Sequence, residues 1–290
     1  MAPRWVSGIN RSRLRAGAAT VVACLIAMAA ATTARAAVTI GQLPATAPAP
    51  ACPSSGFDYL QTSVTGGNLY SARAAGTITS WSTNSSGAGA TYVFKVFRRT
   101  SDPDVFQVVG KAIQHTLTPG LNTAPTDIQV ESGDLIGLHE EGASNSCTFP
   151  APGDGVLRAA VDLDIGEVAP FTPETDVRLN LSAVLAPSNA FTIVGIARHR
   201  RSGAATLTAE LSNPGLATIS GRGLKKRHVT TAVASQVTLK VAAAGKTSRK
   251  LARKGHLKVP VTVTFYPTGG DPSAQTFPLK LVQRRVLPAV

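Results

Sequence analysis

The sequence is poor in cysteine, in aromatic residues and in helical periodicity, and each shortage narrows the possible folds. It contains 3 Cys, 2 Trp and only 5% aromatic residues. Short runs rich in Val, Thr, Ile, Phe and Leu recur about every ten to fifteen residues, with Gly, Pro, Asn and Asp between them. This pattern excludes a helical bundle and is typical of antiparallel sandwiches or barrels.

Motifs that carry catalysis are missing as well. The 5 histidines form no H-E-x-x-H or H-x-H arrangement, and the sequence "HEEG" at 139–142 has the wrong spacing for a zincin. G-x-S-x-G does not occur, and no glycine-rich loop precedes a helix. Zinc protease, hydrolase-elbow and nucleotide-binding functions are therefore excluded.

Paired carboxylates in the first half keep two chemical alternatives open. Such pairs act as acid and base in glycosidases or hold Ca²⁺ in a loop, although the spacing matches no EF-hand loop. The candidates are Asp102-Pro103-Asp104, Glu140-Glu141 and Asp162-x-Asp164-x-x-Glu167. The first pair lies in a turn, where Asp is common, and Asp162 and Asp164 lie on one face of a predicted strand, Val156–Asp164. We predict no catalytic residue, no metal site and no cofactor.

The charged residues divide the chain into two halves of opposite sign. Residues 37–187 contain 7 Lys and Arg against 14 Asp and Glu, whereas residues 188–290 contain 17 against 2. A split of this kind indicates two domains, and it suggests that the second meets something anionic. The boundary is expected at Ala186-Pro187-Ser188-Asn189, where Pro and Asn break a strand.

The N-terminus has the pattern of an export signal. Several Arg residues precede an apolar run over 16–33, and Ala34-Arg35-Ala36 supplies small residues before the cleavage point. We predict a signal peptide over 1–36. A retained membrane anchor and a lipoprotein processed at Cys24 stay open as alternatives. No later stretch is apolar enough to span a membrane, so we expect a secreted, extracellular product that can associate with the cell wall.

Two cysteines remain after this cleavage, Cys52 and Cys147. An isolated pair in an oxidising compartment most simply forms a disulfide. The bond would close a loop of about 95 residues, which the chain-entropy account values at roughly 4–5 kcal/mol. It would staple a Pro-rich entry segment, 37–55, to the domain that follows. A reactive thiol or a metal ligand is the alternative.

The spacing of the strands suggests a fold class for each half. About eight predicted strands over 56–187 suit an acidic, jelly-roll-like sandwich. About seven over 188–290 suit a basic, immunoglobulin-like sandwich without an internal disulfide. Trp81 ends an apolar strand, and we assign it to the core or to the domain edge rather than to a sugar-binding platform.

One insertion interrupts the strand rhythm of the second half, between Gly245 and Gly255. We predict a short helix with Ser248 as its N-cap, Gly255 after its C-terminus and Leu251 packed on the sandwich. Helical spacing would place five basic residues on one face, namely Lys246, Arg249, Lys250, Arg253 and Lys254. Two further basic clusters are Arg222 with Lys225, Lys226 and Arg227, and Arg198 with Arg200 and Arg201.

The second half resembles a module of secreted actinobacterial proteins. The resemblance lies in "GAATLTAEL" (203–211), "PGLATISGRGL" (214–224) and the stretch from "VTLKVAAAGK" to "VTVTFYPTGG" (237–270). The first half, with "ITSWST" (78–83), "VFKVFR" (93–98) and "IQVESGDLIGLH" (128–139), resembles β-sandwich domains of similar proteins. The resemblance implies a two-domain β-sandwich fold and an extracellular location, and it supplies no catalytic residue.

The basic clusters favour adhesion to an anionic wall polymer or an acidic polysaccharide. Specific nucleic-acid binding is not expected, because few aromatics lie among the basic residues. We therefore expect a non-enzymatic binding or structural module of the cell envelope or extracellular matrix. Three alternatives remain: a merely solvated basic face, docking of the acidic domain on the basic one, and a carbohydrate-binding or carbohydrate-active first sandwich.

Overall fold

A computed structural model of the chain describes residues 36–49, 52, 56–141 and 146–284. The predicted signal peptide, apart from Ala36, and the lipidation alternative at Cys24 lie outside these residues. Within the described ranges the fold is all-β, with nineteen strands and one short helix. The all-β class expected from the sequence is therefore confirmed.

Residues 38–187 form two sheets that face each other. One sheet has the order β1-β12-β3-β7, the other has the order β10-β5-β4-β8-β2-β9-β11, and β6 pairs with β4. The strands are β1 (Val38–Gln42), β2 (Phe57–Ser63), β3 (Gly76–Ser85), β4 (Thr91–Arg99), β5 (Val105–Lys111), β6 (His115–Thr116), β7 (Gly120–Val130), β8 (Leu135–Glu141), β9 (Thr148–Ala159), β10 (Val168–Pro170), β11 (Thr172–Leu179) and β12 (Leu181–Pro187). The Pro-rich entry segment thus begins with a strand of the first sandwich.

The larger sheet of the first sandwich is covered on both faces. Its inner face packs against the smaller sheet in a core that includes Phe94 and Leu138. Its outer face carries a second apolar cluster with Phe97 and Phe106, and Leu163 belongs to this cluster from the segment after β9. Because successive side chains of a strand point to opposite faces, β4 is buried on both sides from Tyr92 to Phe97.

Residues 191–282 form a second, smaller sandwich around one core. Its sheets have the orders β13-β14-β17 and β16-β15-β18-β19. The elements are β13 (Phe191–His199), β14 (Ala204–Leu211), β15 (Gly215–Ser220), β16 (Arg227–Thr231), β17 (Ser235–Val241), α1 (Gly245–Lys254), β18 (His256–Pro267) and β19 (Ser273–Val282).

The predicted strand Val156–Asp164 is wrong in its second half. Strand β9 ends at Ala159, and the chain then leaves the sheet and turns back over its outer face. A buried ammonium group explains the departure, because Lys95 Nζ binds Asp162 Oδ1 at 2.6 Å and the Leu163 carbonyl at 2.7 Å. Asp162 and Asp164 therefore do not share a strand face.

The two sandwiches meet at a junction built on backbone hydrogen bonds. Asn213, in the turn between β14 and β15, is 1% exposed. Its Oδ1 accepts from Ala75 N at 2.7 Å, and its Nδ2 donates to Ala75 O at 2.8 Å and to Ser188 O at 2.7 Å. Both sandwiches belong to one compact unit.

Candidate functional site

The Lys and Arg residues of the second sandwich are concentrated at one of its ends. Strands run antiparallel throughout, so alternate connections lie at the same end. The connections β13–β14, β15–β16 and β17–β18 occupy the end away from Asn213, which we call the basic end. All Lys and Arg residues described over 188–284 lie in these connections, within three strand residues of them, or in the last three residues of β19 and just after it.

The two acidic residues of the second sandwich lie at its opposite end. Glu210 is next to the last residue of β14, and Asp271 lies in the turn between β18 and β19. Asp271 Oδ1 accepts a hydrogen bond from Ala36 N at 3.1 Å. Within the described residues, no carboxylate comes close enough to form an ion pair with a cation of the basic end.

Helix α1 forms the centre of the basic end. Its Leu251 side chain is buried at 2% exposure, which fixes the helix to the sandwich core. Gly255 follows in the left-handed region at φ 73°, and its N–H donates to Leu251 O at 2.8 Å. A glycine is favoured there because it has no Cβ to clash. The predicted helix and its C-terminal features are confirmed.

The predicted N-cap of this helix is wrong. The N-cap is Ala244, in an extended conformation with φ −126° and ψ 152°, and no side chain caps the helix. Ser248 lies one turn later, where its N–H donates to Ala244 O at 3.3 Å. The helix starts earlier than expected because Ala244 N is already held by Gly223 O at 2.8 Å.

The basic side chains of α1 are all exposed to solvent. Like charges three or four residues apart destabilise a helix by about 0.2–0.5 kcal/mol per pair. The dipole of the helix offsets part of this repulsion near its C-terminus, where Arg253 and Lys254 lie. The exposed basic residues are Lys246, Arg249, Lys250, Arg253 and Lys254.

The second basic cluster adjoins the start of α1. Leu224 forms a β-bridge with Ala243, and Lys225 N donates to Ala242 O at 2.9 Å. Gly223 lies against Thr247 so closely that no side chain fits between them. The exposed side chains of this cluster are Arg222, Lys225, Lys226 and Arg227.

The third basic cluster adjoins the end of α1. A Cβ added to Gly203 would lie 2.9 Å from Leu251 Cδ2, so the β13–β14 connection contacts the helix. Arg284 N donates to Arg200 O at 2.7 Å, and Gln283 N donates to Gly255 O at 2.7 Å. Arg198, Arg200 and Arg201 are exposed beside these contacts. The fold thus brings all three clusters to one end, which the sequence did not reveal.

A buried ionic cluster in the first sandwich also escaped the sequence analysis. Lys95 is completely buried, and its Nζ donates to both oxygens of Asp58, at 2.7 and 2.9 Å. His139 Nδ1 lies 2.8 Å from Asp58 Oδ1, and Leu163 N donates to Asp58 Oδ2 at 3.1 Å. Lys95 stands out in "YVFKVF" (92–97) as a single charge in an apolar run, which was the available signal.

This cluster holds the segment after β9 against the sheet. Burial opposes ionisation of Asp162, but the hydrogen bond and the charge of Lys95 hold the pKa of that carboxyl below its ordinary value. Asp58, His139 and Asp162 offer ligand atoms within 4.8 Å of one another. However, the ammonium of Lys95 binds the carboxylates of both Asp58 and Asp162. It therefore supplies the positive charge that a metal ion would otherwise supply.

The disulfide pair and Trp81 lie in the interior of the first sandwich. Cys52 and Cys147 are at disulfide distance, with 5.7 Å between their Cα atoms. Trp81 is 1% exposed and packs against Phe94, with ring centroids 5.9 Å apart. The predicted core position of Trp81 is confirmed, so its ring is not an exposed platform for sugars.

Comparisons with known proteins give no assignment. No protein-family model matches the chain, and no curated protein matches it at a significant level. Within the described residues, no helix combines the length and the apolar character needed to cross a membrane.

Proposed function

We propose that this chain is a secreted, non-enzymatic binding protein that adheres to anionic polymers through the basic end of its second sandwich. The convergence of three basic clusters around α1, with both acids at the opposite end, carries this proposal. Concentrated charge of one sign attracts polyanions and speeds their association. The expected ligands are an anionic wall polymer or an acidic polysaccharide of the cell envelope or extracellular matrix.

The strand order supports a jelly-roll-like first sandwich. Such a fold has eight strands in two Greek keys. With β6 and β9 to β11 set aside as additions, the other eight strands pair in the orders β1-β12-β3-β7 and β5-β4-β8-β2. Sequential strands of this set thus alternate between the two sheets, except β4 and β5, which pair within one sheet.

The second sandwich has an order that supports an immunoglobulin-like assignment. Its first, second and fifth strands form one sheet, and its fourth, third, sixth and seventh form the other. The constant immunoglobulin arrangement differs only in that its fourth strand joins the first sheet, and related sandwiches vary in this respect. These two assignments agree with the proposed kinship to secreted actinobacterial two-domain proteins.

The disulfide pair supports the extracellular location. Bonds of this kind persist in oxidising compartments and are rare in the cytosol. Cys52 belongs to the entry segment and Cys147 to the segment before β9, and Cys147 N donates to Cys52 Sγ at 2.8 Å. The pair therefore ties the entry segment to the first sandwich.

Heparin affinity of the full chain tests the proposal with a matched pair of variants. Lys250→Ala with Arg253→Ala removes two exposed cations from the basic end, and we expect clearly earlier elution in a salt gradient. Arg73→Ala with Arg99→Ala removes two exposed cations from the first sandwich and is expected to leave elution nearly unchanged. Equal shifts in the two variants would show that net charge, not the basic end, determines binding.

A further inference from the structure

A shallow groove opens on the outer face of the larger sheet of the second sandwich, next to the basic end. Its volume is about 390 Å³, within the range of roughly 300–1,000 Å³ that small-ligand sites occupy. Strands β15, β16 and β18 form its floor. The side chains that matter here are Thr218, Ser220, Lys226, His228, Thr264 and Tyr266.

The strand register places these side chains in rows across the sheet. Thr218 lies opposite His228 on one side and opposite Thr264 on the other. The next row towards the linker contains Tyr266, opposite Leu216. From Leu216 to Ser220 the groove runs roughly 13 Å along the strands. It therefore extends from an aromatic ring at one end to the exposed Lys226 at the basic end.

The hydroxyl groups of the groove are free for a ligand. Thr262 and Thr276 lie opposite each other on the same face, and their hydroxyls hydrogen-bond at 2.8 Å. Thr218 and Thr264 are also directly opposite. Among the described side chains, however, no partner hydrogen-bonds either of these two hydroxyls. The hydroxyls of Thr218 and Thr264 are therefore available to hydrogen-bond a ligand.

An aromatic ring and a cation complete the groove. Tyr266 is 44% exposed, so one face of its ring is open to pack against apolar C–H groups. Lys226 is exposed at the other end, and its ammonium can form a charge-assisted hydrogen bond with a carboxylate. A ring, free hydroxyls and a cation in one line match the apolar face, hydroxyls and carboxylate of an acidic sugar.

We propose that this groove binds an acidic polysaccharide whose sugars carry carboxylates. Tyr266 packs against a sugar ring, Thr218 and Thr264 bind its hydroxyls, and Lys226 binds the carboxylate. This assignment rests on the proposed function and specifies its ligand. A single-stranded nucleic acid is disfavoured because its binding sites stack successive bases on several aromatics, and the groove has one ring.

Binding of three anionic probes to the full chain tests this assignment. The probes are oligogalacturonate, inorganic polyphosphate and a dT oligomer, matched in charge and measured at one salt concentration. We expect Tyr266→Ala to weaken oligogalacturonate binding about tenfold, the size of a lost ring contact, and to leave polyphosphate binding unchanged. Thr264→Val should weaken it less, and Thr276→Ala, outside the groove on the same face, should not affect it.

The outcomes separate this inference from the proposed function. If all three probes bind equally and Tyr266→Ala affects none of them, the basic end still binds polyanions and the groove assignment fails. If the dT oligomer binds best and loses affinity with Tyr266→Ala, the ligand is a nucleic acid and the polysaccharide assignment is overturned. If no probe binds at low salt, the proposed function itself fails.

Discussion

Asn213 of the second sandwich forms two hydrogen bonds with the backbone of Ala75 in the first, one to its N–H and one to its carbonyl. A third bond from the same amide reaches Ser188 O in the linker. One buried side chain therefore satisfies polar groups of both sandwiches and of their connection. The junction is fixed at the acidic end of the second sandwich, and the basic end is left facing solvent.

Replacing Asn213 should loosen this junction without unfolding either sandwich. Asn213→Ala leaves the N–H of Ala75 without its partner, at about 1–3 kcal/mol for a buried group, while the Ala75 carbonyl still accepts from Ser188 N at 2.8 Å. We expect faster amide exchange at Ala75 and Ser188 in hydrogen–deuterium exchange. Asn189→Ala is the control, because the Asn189 side chain forms no hydrogen bond with the described residues. Unchanged exchange in Asn213→Ala would mean that the junction is held elsewhere.

Removal of the Lys95 ammonium should destabilise the first sandwich strongly. Lys95→Met leaves the buried carboxylate of Asp58 without its cation, and breaking a buried pair in this way costs about 3–5 kcal/mol. Lys111→Met, which removes a more exposed partner of Asp162 at 3.4 Å, should cost less than about 1 kcal/mol. Urea unfolding compares the two variants, and similar losses would argue against a buried cluster that holds the segment after β9.

Acid should weaken the first sandwich through its paired carboxylates. Burial opposes ionisation of Asp154, but hydrogen bonds from Arg178 and Thr65 hold the pKa of its carboxyl below the ordinary value, as Lys95 does for Asp162. A lowered pKa gives stability that is complete above the unfolded value of about 3.9 and is lost as the pH falls through the folded value.

The pH dependence of thermal unfolding measures this loss. The unfolding temperature of the wild-type chain should fall steadily below about pH 4. Asp154→Asn should start from a lower temperature and depend less on pH, because its side chain no longer titrates. If the unfolding temperature of Asp154→Asn falls with pH as much as that of the wild-type chain, Asp154 does not contribute to the loss of stability in acid.

Loss of the disulfide should lower stability and release the entry segment. Cys52→Ser with Cys147→Ser removes a cross-link over 95 residues, valued at roughly 4–5 kcal/mol by the chain-entropy account. We expect a lower unfolding temperature and earlier proteolysis between β1 and β2. Reductant should have the same effect on the wild-type chain and none on the variant. An unfolding temperature insensitive to both changes would mean that the bond does not stabilise this sandwich.

Local patterns predicted the elements that depend on local chemistry. Helix α1 was predictable because Gly255, Leu251 and the basic residues of its last turn lie within one short segment. Strand β14, Ala204–Leu211, alternates between partly exposed and buried positions, which is a local pattern. The turn at 131–134 is local as well: Gly133 has φ 102°, and Asp134 Oδ2 accepts from Glu131 N at 2.7 Å.

Contacts between distant residues could not be predicted in this way. Lys95 and Asp58 are 37 positions apart and meet across the intervening strand β8. Their pairing, and the bend that brings Asp162 over them, depend on a strand order that one sequence does not reveal. The same holds for the basic end, where Gly203 and Gly223 contact opposite ends of α1 only after the sandwich has formed.

The most direct test of the anion-binding account is the salt dependence of heparin binding by the full chain. Ion-pair binding releases counterions, so the logarithm of the binding constant should fall steeply and linearly with the logarithm of salt concentration. The account predicts this steep inverse slope, and a shallower slope for Lys250→Ala with Arg253→Ala. Binding that does not change with salt, or no binding at low salt, would contradict it.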